Sequence, residues 1–256
     1  MSSCLCIHPN NRKCFEFRGK PLVLITATEH YGAVINRPFR FERYLQDAAE
    51  RRHTLTRLFM LFREQQHSHN PYSTCKPEST DYVSPYPRTG PGNAIDGLPK
   101  YDLDQWNPEF FDRLHRFLAL ASDYGVVVEV VILSNTYNED IWMLNPLHPK
   151  NNINGTEEIS FPEYMTKRHP KLFARQRALV RKIVEETNRY DNLLYEVCNE
   201  PTGATPGIAN APTLDEVNTW QTILAQDIRE TENTLTNKHL IAGQEAYRHD
   251  GYRQSL

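Results

Sequence analysis

Short apolar runs recur along the chain at intervals that a repeating unit of strand and helix would produce. They cover residues 21–27, 54–62, 126–133 and 193–198, with a weaker run at 239–242. Apolar runs of this length that contain β-branched residues and are bounded by turn residues are typical of strands buried on both faces. We therefore predict five strands of a parallel sheet.

Segments with apolar residues at helical spacing lie between these runs. Residues 39–52 form the first such segment. Asn107 is placed to cap a second helix, which Gly125 would end. A third helix is predicted to begin at Pro170, and residues 213–216 form a capping box for a fourth. Strands that alternate with helices in this way predict parallel pairing.

The predicted loops are long after the strands and short before them. Residues 64–101, rich in Pro, Gly, Ser and Tyr, form the longest loop. This asymmetry is typical of strand–helix barrels, whose active sites lie at the carboxyl ends of the strands. A dinucleotide-binding fold is the alternative, but no Gly-x-Gly-x-x-Gly motif follows a predicted strand. The predicted fold class is α/β, a (β/α) TIM-type barrel that is incomplete, with about five of eight strand–helix units.

Composition and charge exclude several classes of function. The net charge of -3, with 29 scattered Lys and Arg, disfavours nucleic acid as a partner. No apolar run approaches the roughly 18 residues of a membrane span. The five Cys form no disulfide framework and the first twenty residues show no signal peptide, so we expect a cytoplasmic protein with reduced thiols. Cys4, Cys6, His8 and Cys14 match no zinc spacing, so we predict no metal.

A carboxylate at the end of the fourth predicted strand is the best candidate for chemistry. In residues 193–201 an apolar run leads into Asn199, Glu200 and Pro201. Pro201 ends the strand, because it lacks an amide donor. A partly desolvated carboxyl group in this place can protonate a glycosidic oxygen. The alternative is an ordinary turn whose Glu is solvated.

The segment Glu196 to Pro201 resembles the Glu-x-x-Asn-Glu-Pro motif of clan-A glycoside hydrolases, especially family-five cellulases and mannanases. The resemblance implies that Glu200 is the general acid/base and that Asn199 binds a sugar hydroxyl. It also implies that Arg57, two strands earlier, supports the nucleophile of such an enzyme. In that clan the nucleophile is a second Glu on the seventh strand, for which this chain shows no counterpart.

Further residues near predicted strand ends are candidates for substrate binding, each with a structural alternative. His30 and Tyr31 follow the first strand and could bind a sugar or simply pack. Glu245 could bind substrate or be a surface carboxylate. Glu129 lies mid-strand, so we predict a structural role in which it pairs with Arg57. The third strand is followed by Asn135, Tyr137 and Trp142, whose aromatic rings could stack on a sugar or, for Trp142, belong to the core.

The sequence therefore predicts a retaining O-glycosyl hydrolase that acts on a β-linked carbohydrate without a cofactor. We predict that residues 1–19 are a poorly structured leader and that residues 20–256 form a partial barrel, the catalytic domain. The nucleophile is expected in a missing C-terminal part, so we expect the 256-residue chain alone to show no turnover. The alternatives are a non-catalytic carbohydrate-binding relative and an inactive truncated fragment. The oligomeric state is left open.

Overall fold

The strands of a central parallel sheet alternate with helices along the chain, as the sequence predicts. The computed structural model describes residues 4–26, 32–64, 73–205 and 207–247. The strands are β1 (Cys6–Ile7), β2 (Phe15–Phe17), β3 (Lys20–Leu22), β4 (Leu55–Phe59), β5 (Arg88–Asn93), β6 (Pro99–Tyr101), β7 (Val127–Ser134), β8 (Leu193–Asn199) and β9 (Ile241–Ala242). The helices are α1 (Phe41–Glu50), α2 (Pro108–Asp123), α3 (Glu139–Trp142), α4 (Pro170–Thr187) and α5 (Leu214–Glu232), with a 3-10 helix at Phe161–Met165.

A parallel sheet of four strands forms the centre of the described structure. Its order is β4-β7-β8-β9, the order of the chain. In the register, Arg57 lies opposite Glu129, and Glu196 lies opposite Ala242. Neighbouring parallel strands that follow one another in sequence are the arrangement of a (β/α) barrel. The sheet does not close within the described residues, so the prediction of a partial TIM-type barrel is confirmed.

The two faces of this sheet have different partners. Val128, Val130 and Tyr195 belong to the large core that the sheet shares with the helices. Side chains alternate across a strand, so Arg57 and Glu129 lie on the other face, which is the interior of the barrel. That interior is where charged side chains from successive strands meet.

The predicted helix ends agree with the structure. The Asn107 side chain accepts a hydrogen bond from the Glu109 amide (3.1 Å) and caps α2. Gly125 follows the helix with φ of 71°, which glycine adopts without strain. Thr213 and Glu216 form the predicted capping box at the start of α5. These local signals work because they depend on neighbouring residues only.

The N-terminal segment corrects two expectations. Residues 21–27 do not form the first parallel strand within the described residues, since Lys20–Leu22 pairs antiparallel with β2. The Ile25 carbonyl does accept hydrogen bonds from the Thr54 amide (2.9 Å) and the Leu55 amide (3.1 Å), so the chain reaches the edge of β4. Residues 27–31 lie outside the described part.

The expectation of a poorly structured leader over residues 1–19 is wrong for residues 4–19. Strands β1 to β3 form a three-stranded antiparallel sheet. Leu5 and Phe17 pack against Val127 and Leu194 near the amino ends of the parallel strands. Burial of such side chains contributes about 2 kcal/mol each, which is enough to order a short segment that carries few other signals. How the chain divides into domains remains a prediction.

The long segment after β4 is ordered where it is described. Strands β5 and β6 form a hairpin. The Asp96 carboxylate lies 3.1 Å from Arg63 Nη1 and 2.5 Å from Arg88 Nη2, and all three side chains are largely buried. A buried carboxylate with two cationic partners is well compensated for its loss of water, so this network anchors the hairpin beside the barrel.

A buried histidine ties the end of α5 to the amino end of β8. His239 Nδ1 lies 2.7 Å from Glu232 Oε1, and His239 Nε2 lies 2.7 Å from the Tyr190 carbonyl. Arg229 holds the other Glu232 oxygen at 2.8 Å. Burial opposes charge on the ring, but hydrogen bonds with Cys4, Glu232 and the Tyr190 carbonyl outweigh it and raise the pKa of His239 to about 9. The ring is therefore an imidazolium at neutral pH, with both nitrogens donating.

Because the pKa of His239 is raised, we expect the protein to lose stability in alkaline solution. The pKa in the folded protein exceeds that of an unfolded His, near 6.5. The contribution of the charged His239 ring to the free energy of unfolding is therefore complete below about pH 6.5 and is lost as the pH rises through about 9. We expect the free energy of unfolding of the wild type, relative to His239→Gln, to fall by on the order of 2–3 kcal/mol from about pH 6 to about pH 10. Urea titrations of both proteins at the two pH values measure it; a constant difference would contradict the assignment.

Candidate active site

Glu200 stands directly after strand β8 on the carboxyl side of the sheet. Its backbone has φ of 48°, in the left-handed region, and its side chain is exposed. The Glu200 amide donates to Gln244 Oε1 (3.1 Å), and the Glu200 carbonyl accepts from Asn135 Nδ2 (3.0 Å). The strained turn is thus held on both sides by amide side chains, as is common for residues in functional turns.

A charged layer lies below Glu200, inside the barrel. Arg57 Nε lies 2.9 Å from Glu129 Oε2, and Arg57 Nη2 donates to Glu196. The same Arg57 nitrogen donates to Asn199 Oδ1 (3.0 Å). Gln244 Nε2 donates to the other Glu196 oxygen at 2.7 Å. The predicted structural role of Glu129, paired with Arg57, is confirmed.

One cation faces two carboxylates in this layer. Burial and the charge of Glu196 raise the pKa of Glu129 while Arg57 lowers it, and together these effects bring the pKa to about 7. The hydrogen bond between Glu129 and Glu196 also favours the protonated form. Below about pH 7 the layer therefore binds one proton, which balances its charge.

The Glu129→Gln variant tests whether the charged layer binds this proton. Because the pKa of Glu129 is higher in the folded protein than in the unfolded chain, its contribution to stability is complete below about pH 4.5 and is lost as the pH rises through about 7. A glutamine copies the protonated acid, so we expect the free energy of unfolding of Glu129→Gln to exceed that of the wild type at about pH 8.5 by on the order of 1–3 kcal/mol.

At about pH 4.5 the two proteins should be equally stable, as measured by urea titration. Glu158→Gln is the matched control, since the Glu158 side chain is 69% exposed, and it should change little at either pH. A Glu129→Gln protein that is less stable at both pH values would show that Glu129 is ionised throughout.

A chain of hydrogen bonds joins the charged layer to Glu200. Asn199 Nδ2 donates to Tyr137 Oη (2.8 Å), and Tyr137 Oη donates to Glu200 Oε2 (2.6 Å). The Tyr137 ring packs edge-on against Phe62. Asn135 is buried and supports the same loop, because its Oδ1 accepts from the Tyr137 amide (2.9 Å). The structure thus brings Arg57, Asn199, Tyr137 and Asn135 together around Glu200.

A cavity of about 170 Å³ opens beside this chain. Phe161, Pro162 and Ile208 form its apolar part, while Thr202 and Thr205 line it with hydroxyl groups. Tyr137, Asn135 and Pro212 complete the lining. A site with one apolar wall and a few polar groups is typical of sites that bind small polar ligands. Sequence reasoning missed Phe161, because it follows no predicted strand.

Trp142 corrects the expectation of a sugar platform. Its side chain has no exposed surface, and its ring packs against His148 and Tyr164. The apolar ring belongs to the large hydrophobic core. The structural alternative for this residue is therefore the right one.

The remaining candidates lie at the edge of the site or outside it. Glu245 is exposed next to Gln244, in a shallow groove between α5 and β9. Its role in substrate binding remains a prediction. His30 and Tyr31 lie outside the described residues. Gln244 was not predicted, although it contacts both Glu196 and the backbone of Glu200.

The described ranges show neither a cluster of metal-ligating side chains nor a membrane-spanning helix. No group of three or more His, Cys, Asp and Glu side chains that could hold a metal ion occurs in residues 4–26, 32–64, 73–205 and 207–247. Within the same ranges, no helix combines the length and the apolar character that crossing a membrane requires.

A family model described as a domain of unknown function, DUF6298, matches residues 77–223. The matched region is more than half of the 256 residues. The chain belongs to the DUF6298 family. This region includes β7 and β8, with Tyr137, Asn199 and Glu200, so the candidate site lies largely within what defines the family. A comparison with curated protein sequences gives no match.

The fold is similar to that of solved glycoside hydrolases. A family 5 glycoside hydrolase from Bacteroides vulgatus ATCC 8482 matches with a TM-score of 0.50 and 12% identity, over 99% of this chain and 43% of that one. The β-mannanase of the blue mussel Mytilus edulis matches with a TM-score of 0.55 and 8% identity, over 94% and 63% of the two chains. The hyperthermostable endo-1,4-β-D-mannanase of Thermotoga petrophila RKU-1 matches with a TM-score of 0.52 and 13% identity, over 86% and 55%.

The chain therefore spans less than two thirds of each of these structures. At identities of 8% to 13% the similarity shows a shared fold. The predicted kinship with the barrel fold of glycoside hydrolases is confirmed at that level.

Proposed function

We propose that the protein is a retaining glycoside hydrolase in which Glu200 is the general acid and base. The observation that carries the proposal is the placement of Glu200: an exposed carboxylate at the carboxyl end of a barrel strand, held by Tyr137, whose side chain also lines a cavity. Catalytic groups of such barrels occupy this end of the strands. The barrel neighbours that are named as glycoside hydrolases support the same reaction class.

In the first step, Glu200 gives its proton to the glycosidic oxygen while the bond from that oxygen to the anomeric carbon breaks. A second carboxylate attacks the anomeric carbon and forms a glycosyl ester. Glu200, now ionised, then removes a proton from water, whose oxygen displaces the ester. The two carboxyl groups must lie about 5–5.5 Å apart. We propose that the second one belongs to a part of the protein outside the described residues, which the limited coverage of the structural neighbours supports.

The substrate we propose is a β-1,4-linked polysaccharide, with mannan as the first choice. Two of the neighbours are named as mannanases. The cavity lined by Tyr137 supports this choice, because the apolar face of a sugar ring can pack on Phe161 and Pro162 while its hydroxyls reach Thr202 and Thr205.

The test is hydrolysis of β-1,4-linked mannan and glucan oligosaccharides by the whole protein, which here means the protein with the part that carries the second carboxylate. Proton NMR monitors the products from the first minutes. We expect the new reducing end to appear first as the β-anomer, since two displacements retain configuration. An initial α-anomer would contradict the retaining mechanism. Absence of hydrolysis of every β-linked substrate, with a folded protein, would contradict the function.

A further inference from the structure

The hydroxyl of Tyr137 has a defined direction of hydrogen bonding. Arg57 has only N–H donors, so the Asn199 atom 3.0 Å from it must be the carbonyl oxygen. The other end of that side chain is then the NH₂ group, which donates to Tyr137 Oη (2.8 Å). The single phenolic proton is left for Glu200 Oε2, at 2.6 Å. The direction of hydrogen bonding from Arg57 through Asn199 and Tyr137 to Glu200 is therefore fixed by which of these groups can donate.

The phenol stays a donor throughout the neutral range. Burial raises the pKa of Tyr137 far above its usual value, and the nearby Glu200 carboxylate raises it further. The Tyr137 backbone lies in the left-handed region, with φ of 56°, and its amide is held by Asn135. A conformation of this kind is strained for a residue other than glycine, so the surrounding structure maintains it.

One oxygen of the Glu200 carboxylate accepts a hydrogen bond from the protein. Within the described residues, the hydrogen bond from Tyr137 to Oε2 is the only one to its carboxylate. An exposed Glu side chain otherwise moves freely among its rotamers. The occupied oxygen already accepts a proton in a hydrogen bond, so an additional acidic proton is favoured on Oε1, which faces no described donor.

We propose that Tyr137 is a positioning residue, whose hydroxyl orients the Glu200 carboxyl group and directs its transferable proton to Oε1. The inference rests on the proposed function of Glu200. It replaces the expectation that the Tyr137 ring stacks on a sugar, and it gives the loop after β7 a role in proton delivery. Tyr137 acts through Glu200 and does not itself exchange a proton with the substrate.

The experiment compares Tyr137→Phe with the wild type in the whole protein, on two substrates with the same sugar. One has a poor leaving group that needs protonation, and the other has an activated aryl leaving group that does not. A hydrogen bond to a charged group that is partly exposed corresponds to about tenfold in rate. We expect kcat/KM, which reports the step in which the leaving group departs, to fall about tenfold on the first substrate and less than about twofold on the second. The ring is retained, so packing on Phe62 is retained as well.

The same substitution in a Glu200→Ala background separates the possible roles. If Tyr137 acts through Glu200, Tyr137→Phe has no further effect there. A loss that is equal on both substrates, or that persists in the Glu200→Ala background, would overturn the proposal and assign Tyr137 to substrate binding or to folding. Tyr124→Phe is the control, because Tyr124 is exposed at the end of α2, and it should leave both rates unchanged.

Failure of the proposed function gives a different result. In that case Glu200→Ala itself would show no dependence on the leaving group. The inference about Tyr137 fails alone when Glu200→Ala shows that dependence and Tyr137→Phe does not. Equal unfolding midpoints of Tyr137→Phe and the wild type show that the fold is retained.

Discussion

Replacing Glu200 with Ala is expected to slow hydrolysis of a substrate with a poor leaving group by ~10²–10⁴-fold, the usual contribution of general acid catalysis. The first step for an activated aryl glycoside should be affected much less, because its leaving group departs without a proton. The physical basis is the exposed carboxyl group at the end of β8, which can reach the bridging oxygen of a bound sugar. Values of kcat/KM for the whole protein on the two substrates measure the difference, because kcat/KM reports the first step even where the second step limits kcat.

Glu185→Ala is the matched control for that experiment. Glu185 is an exposed carboxylate on α4, on the helical outside of the sheet, and its loss should leave both rates within about twofold. Equal losses of kcat/KM on both substrates after Glu200→Ala would show that Glu200 is structural or is the nucleophile.

Replacing Arg57 with Ala is expected to lower the free energy of unfolding by about 3–5 kcal/mol. The change leaves the Glu129 and Glu196 carboxylates together inside the barrel without the cation between them. The Arg57 side chain is 13% exposed, so water compensates little. Urea titration near neutral pH measures the loss.

The control for this variant is Arg51→Ala, which breaks a surface pair with Asp47 in which both side chains are more than half exposed. Such exposed pairs contribute little to stability, so this variant should unfold almost as the wild type does. A second variant, Arg57→Met combined with Glu129→Gln and Glu196→Gln, removes the charges together and should recover most of the stability. An Arg57→Ala loss as small as that of Arg51→Ala would contradict the buried network.

Sequence patterns predicted the features that depend on neighbouring residues. The cap at Asn107 and the capping box at Thr213 follow from side chains that bond to amides two or three positions away. The apolar strands β7 and β8 followed from hydrophobic runs, and the strand end at Glu200 followed from Pro201. The parallel order of the strands followed from their alternation with helices.

Features that depend on distant contacts were not predictable in the same way. Strands β1 and β2 contain 2 and 3 residues, too few for a periodic signal. They are stable because Leu5 and Phe17 pack against Val127 and Leu194 of the parallel sheet. The burial of Trp142 depends on where α3 packs. The contact between Gln244 and Glu196 joins residues 48 positions apart, and a single glutamine carries no sequence signal for it.

The bond from Tyr137 to Glu200 shows the same limit within the site itself. The residues are 63 positions apart, on two different loops, and the direction of the bond depends on Arg57 and Asn199 in turn. Sequence reasoning found all four residues, because each lies in or near the end of a predicted strand. It could not assign which of them touch one another, since that depends on strand register and loop conformation.

The most direct test of Glu200 as acid and base is the product that Glu200→Ala forms in the presence of azide. With an activated aryl β-glycoside, the glycosyl ester forms without an acid, and hydrolysis then stalls because no base activates water. Azide is an anion that needs no base, so it should restore turnover and yield the β-glycosyl azide, whose configuration matches the substrate. NMR of the isolated product identifies it. Restored turnover with the β-azide is the predicted result; no rescue, or an α-glycosyl azide, would contradict the assignment of Glu200.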